Sequence, residues 1–106
     1  MPIQIDVTNG VITCAPGDGY VRTVHSTQIA WTSTGEEFTL TFQLLGGDGS
    51  PVWPFVEPQP AWPVRAFQGT LTALNGDPPP NQRPAYKYTV VVGANRLDPI
   101  IIVDKN

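Results

Sequence analysis

The chain holds one thiol, Cys14, and one imidazole, His25, with Asp18 and Ser26 close to them in sequence. A thiol or hydroxyl, an imidazole and a carboxylate are the parts of a nucleophilic triad, in which the imidazole takes the proton and the carboxylate orients it. No Gly-x-Ser-x-Gly elbow presents Ser26, however, and a Gly- and Asp-rich turn beside a solvated histidine accounts for the same residues. Cys14 and His25 could also face one another across that turn. Two ligands do not make a zinc or copper site without a third and fourth, so neither a metal nor a cofactor is expected.

Carboxylates are spread along the chain at Glu36, Glu37, Asp48, Glu57, Asp77, Asp98 and Asp104. Paired carboxylates hydrolyse glycosides only where two face one cleft, and a domain of this size offers little cleft. Asp98, an acid directly before Pro99, is expected to cap a turn through backbone amides. The glycine-rich run 46–49 is followed by no Lys-Ser/Thr pair and no helix, so a phosphate loop is not expected. No enzymatic activity is expected from this inventory.

Binding chemistry is concentrated in residues 51–63, PVWPFVEPQPAWP, where Trp53, Phe55 and Trp62 stand among prolines and Glu57 is the single charge. The segment reads as a polyproline ligand, as a flat aromatic platform for a sugar ring, as a structural cover for the core, or as a protein interface, in which Trp is enriched. The candidate binding residues are therefore Trp53, Phe55, Glu57 and Trp62, with the stiff loop 75–84 beside them. They imply a protein partner or a second copy of the chain.

The elements that must position these residues are strands. Apolar residues alternate with period two from end to end, and no helical period is sustained. In 37–44, Phe38, Leu40, Phe42 and Leu44 share one face. The run 28–33 puts Ile29 and Trp31 inward, and the turn 34–36 predicts a hairpin between these two. Asn9-Gly10 predicts a tight hairpin between 3–7 and 11–14. A strand is also expected over 20–24, another over 64–74 with a bulge at Gly69, and two closing strands over 86–92 and 99–103. Pro-rich 51–63 must be loop or edge, because proline has no amide to give a central ladder. About seven short strands with regular turns predict one antiparallel Greek-key β-sandwich over residues 1–106, of immunoglobulin-like architecture.

With 106 residues the chain suits a single core, and 41% apolar residues suffice to fill it. A net charge of −3 with only six scattered basic residues leaves no stripe for phosphates, so neither nucleic acid nor an anionic membrane surface is an expected partner. No window is long and apolar enough to span a membrane, no signal peptide is seen, and a single cysteine suits a reducing compartment. A cytoplasmic location is the expectation.

Tyr86-x-Tyr88-x-Val90, a glycine-bearing turn, then Leu97-Asp98-Pro99 and the apolar run 100–103 resemble the last two strands of a cupredoxin-like sandwich. Trp31 followed by Phe38-x-Leu40-x-Phe42 resembles the strand pair that precedes the first metal-ligand region there. Copper-binding members carry Cys, His and usually Met between those last strands. In this chain Val90 and Gly93 stand where the thiolate and imidazole would be, so the resemblance implies a copper-free member. Asp98-Pro99 and Glu57-Pro58 also resemble the dipeptides of small bacterial proteins of the DP-EP family, a resemblance that implies no activity.

Overall fold

The apolar alternation is realised as strands throughout a computed structural model, which describes residues 2–24, 27–71 and 85–104. These strands are β1 (Pro2–Thr8), β2 (Val11–Ala15), β3 (Val21–Val24), β4 (Gln28–Ser33), β5 (Thr39–Leu44), β6 (Pro51–Val52), β7 (Ala66–Thr70), β8 (Ala85–Val92), β9 (Asn95–Leu97) and β10 (Ile100–Asp104). One sheet has the order β2-β1-β4-β7 and the other β3-β10-β8-β5-β6, with β9 pairing to the far half of β8. Their facing sides meet in one core. Ile3, Ile5, Ile12, Cys14, Ile29, Trp31 and Phe67 come from the first sheet, and Val21, Leu40, Phe42, Tyr86, Tyr88, Val90, Ile101 and Val103 from the second. Every one sits at alternate positions of its strand, as a sheet with one buried face requires.

The all-β sandwich expected from the sequence is present, with two corrections. The sheets are mixed rather than antiparallel, because β1 runs parallel to β4 and β10 parallel to β3. The hairpin expected between β4 and β5 does not form. Those strands belong to different sheets, and residues 34–37 carry the chain across the core. Both strands have a strongly apolar face, Ile29 and Trp31 on one and Leu40 and Phe42 on the other. Opposing these faces buries both, whereas pairing the strands edge to edge would leave one sheet without its cover.

Other expectations stand. β1 and β2 form a hairpin whose two loop residues, Asn9 and Gly10, have φ of 52° and 75°, the left-handed pair that a tight hairpin turn demands. β6 is a two-residue edge strand. Gly69 is not a bulge, because it lies in an unbroken ladder opposite Ile29. Its strand is shorter than expected, ending at Thr70, and residues 72–74 lie outside the described part of the chain.

Candidate functional site

Residues 53–65 leave the β6 edge of one sheet and return to the β7 edge of the other, so they strap the open side of the sandwich. Backbone pairs hold both ends. Phe55 bridges to Leu71, and the Val56 amide donates to the Thr70 carbonyl at 2.9 Å. At the far end Phe38 and Val64 exchange two hydrogen bonds of 2.7 and 2.9 Å, and the Ser33 amide donates to the Arg65 carbonyl. Prolines at positions 54, 58, 60 and 63 stiffen the path and lower the entropy lost in ordering it.

Phe55 is the plug of this strap. It is 4% exposed and meets Trp31, Phe42, Trp53 and Phe67 at centroid distances of 5.8, 5.0, 5.2 and 5.5 Å, mostly edge to face. Burying such a ring contributes about 2–3 kcal/mol. Gly69 makes room for it, since a Cβ there would stand 2.5 Å from the Phe55 ring. Close approach of an aromatic ring, rather than backbone freedom, therefore sets this glycine.

Glu57 is the clamp. Its Oε1 accepts from the Thr70 amide at 2.7 Å and its Oε2 from the Thr70 hydroxyl at 2.8 Å. The amide first, then the hydroxyl, holds the Glu57 carboxyl below its ordinary acidity range. The Glu57 carbonyl in turn accepts from the Trp53 indole N–H at 2.6 Å. Phe55 and Glu57, both candidate binding residues, are thus engaged by the fold itself.

Trp53 and Trp62 remain half-buried. Trp53 packs on Phe42 and Phe67, and Trp62 packs on Phe67, with its N–H given to Gln59 Oε1 at 3.3 Å. The two indoles are 6.3 Å apart and inclined at 69°. They make an edge-to-face pair, not a coplanar shelf.

The residues with nucleophilic chemistry are placed differently. Cys14 is buried in β2, and burial, followed by the charges of Asp18 and Asp6, pushes its thiol up to about 11. A thiol so protonated is no nucleophile near neutrality. His25, Ser26, Asp77 and the loop 75–84 lie outside the described residues. Among the described residues no three His, Cys, Asp or Glu side chains are grouped to hold a metal ion, and no helix is long and apolar enough to cross a membrane.

Glu36 lines, with Asp6, Thr13, Ser33 and Thr34, a polar cleft of about 390 Å³ at the crossing between the sheets. Among the described residues Asp98 meets a hydroxyl and an ammonium group rather than the amides of a turn. Its Oδ1 accepts from the Thr89 hydroxyl at 2.6 Å, and Lys87 Nζ stands 3.9 Å from its Oδ2. Both acid-proline dipeptides therefore use the acid to hold a threonine of a neighbouring strand, Glu57 on Thr70 and Asp98 on Thr89. Sequence spacing carries no signal for either pairing, because each joins residues from separate strands or loops.

The chain matches no described protein family and no curated protein.

Proposed function

We propose that this domain is a non-catalytic interaction module, cupredoxin-like and without copper, that binds a protein partner through the outer faces of Trp53 and Trp62. The observation that carries this reading is the chemistry of the strap's surroundings. Residues 38–64 contain only two charges, Asp48 and Glu57. Asp48 accepts from the Ser50 amide, and Glu57 holds Thr70. The same region exposes Leu44, Leu45, Val52 and Val56, the last at 68%. Depletion of charge around half-exposed tryptophans is the composition of an interface centre. The angle between the indoles favours this reading over stacking on a sugar ring, which needs a flat face. A single cysteine kept as a thiol suits the reducing cytoplasm, the compartment we assign.

The test compares immobilised wild-type protein with Trp62→Ser and Val56→Ser variants, each checked by circular dichroism for an unchanged fold, while sedimentation velocity reads self-association. A partner protein retained by wild type and lost by both variants is the expected result. Retention that is equal in all three, or a monomer that retains nothing, overturns the reading.

A further inference from the structure

The outer edge of β7 is a row of backbone groups that the strap covers only at one end. The Ser33 amide donates to the Arg65 carbonyl and the Leu71 amide to the Thr27 carbonyl, at 2.9 and 3.1 Å, and the ladder between them is unbroken. In an antiparallel pair, residues bonded to the neighbouring strand alternate with residues turned away from it. Arg65, Phe67, Gly69 and Leu71 therefore turn their backbone groups to β4 and its continuation, and Ala66, Gln68 and Thr70 turn theirs outward. The strap satisfies Thr70, whose amide donates to Glu57 and whose carbonyl accepts from the Val56 amide. Among the described residues nothing bonds to the outward amides and carbonyls of Ala66 and Gln68, and both residues are exposed.

Exposed strand edges are ordinarily protected by a charge, a proline or a bulge. β7 has none of these, since it reads Ala66-Phe67-Gln68-Gly69-Thr70 in a regular ladder. Strand β6, by contrast, begins with Pro51. Outward N–H and C=O groups at alternate positions are matched by one chemistry, another backbone in extended form. The side chain that such a strand sets opposite Phe67 falls on the core side, beside Trp62 and Trp53, whose rings lie 5.7 and 5.5 Å from that of Phe67. Its neighbours fall on the outer side with Ala66 and Gln68, where they meet water. Val56 and Glu57 close the slot at Thr70, so it is short. A second copy of β7, paired two-fold about Phe67, would need that same place for its own residues 64 and 65.

We infer that the edge of β7 at Ala66 and Gln68 receives an extended segment of a partner protein as an added strand, with an apolar residue opposite Phe67 and polar residues on either side. The inference rests on the proposed function in taking this side of the sandwich as the interface, and it adds the backbone contact that sets the partner's direction and register.

Amide hydrogen exchange of the ¹⁵N-labelled protein tests this, with the blocked peptide Lys-Thr-Val-Thr-Val-Thr as probe and the same peptide N-methylated at every amide as control. In the free protein Ala66 and Gln68 are expected to exchange fast, and Phe67 and Gly69 slowly. At saturation the probe is expected to slow Ala66 and Gln68 by about tenfold, the worth of one hydrogen bond each, and the control to leave them unchanged. Ala66→Pro removes an amide that bonds to nothing within the domain, and it is expected to keep the circular dichroism of wild type while losing the protection at Gln68. If this variant does not fold, exchange in wild type still decides. Partner capture separates the two readings. A partner lost by Trp62→Ser but retained by Ala66→Pro leaves the tryptophan reading standing and overturns the added strand, and the opposite pattern supports the added strand and overturns the tryptophan reading. Exchange at Ala66 and Gln68 that is already slow in dilute free protein, or that the probe does not slow, overturns the inference. Protection that rises with protein concentration alone assigns the edge to a second copy and overturns it as well.

Discussion

Gly69 and Phe55 form a lock whose two halves are fourteen positions apart. A methyl group on Gly69 has nowhere to go, because the Phe55 ring at 2.5 Å from it is itself wedged between Trp31, Phe42 and Phe67. Gly69→Ala is expected to destabilise the fold by about 1–3 kcal/mol, the usual cost of overpacking a filled core. Urea unfolding followed by tryptophan emission would show it. In the double variant with Phe55→Leu the added methyl should cost less, because the smaller side chain yields. If the two changes are instead additive, the ring is not what Gly69 accommodates. Sequence inspection reads this glycine as a bulge, since an isolated glycine in a strand looks the same whether it bends the strand or admits a ring.

The strap is the element on which the proposed function depends, and its attachment is partly electrostatic. Glu57 is more acidic when folded than when unfolded, so its clamp on Thr70 contributes stability that is present above the ordinary glutamate range and lost as pH falls through the lowered folded value. Acidification should therefore loosen residues 53–63 in wild type, seen as a red shift of tryptophan emission and faster proteolysis after Val56. Glu57→Gln retains one acceptor for Thr70 but no charge. It should show that looser behaviour at neutral pH and little further change on acidification. An identical acid response in wild type and variant would mean that Glu57 does not govern the strap. Proline spacing makes the loop legible in the sequence, but which of its aromatics turn inward is not, because Phe55, Trp53 and Trp62 carry the same apolar signal.

At the scale of the whole molecule, three groups among the described residues whose ionisation burial opposes share one core. Cys14 is pushed up to about 11 and Tyr86 to about 12, both chiefly by burial, and burial raises Tyr88 as well. Each has a folded value above its unfolded one, so the stability each contributes is fully present below the unfolded value and declines as pH rises through the folded value. Stability is expected to be level near neutrality and to fall from about pH 9 upward, where the unfolded thiol begins to ionise. Cys14 accounts for about 3 kcal/mol of that fall once it is complete. Chemical unfolding at a series of alkaline pH values would measure it. Cys14→Ala should keep the tyrosine part and lose the earliest part of the decline, and a profile identical to wild type would refute the assignment.

Alternation of side chains, the Asn-Gly turn and the prolines of residues 51–63 by themselves determine that this chain forms strands, where β1 and β2 meet, and that a long loop precedes β7. These are local properties, set by which face a residue occupies and which backbone angles it tolerates. Tertiary structure alone decides that β4 and β5 oppose one another across the core, that two strand pairs run parallel, and that Phe55 is buried while Trp53 and Trp62 stay half exposed. It also brings the turn at Asp18 against the bend at Asp98, residues eighty positions apart. Those outcomes depend on which apolar faces cover one another and on carboxylates meeting threonines of other strands, and neither relation is written in the spacing of neighbouring residues.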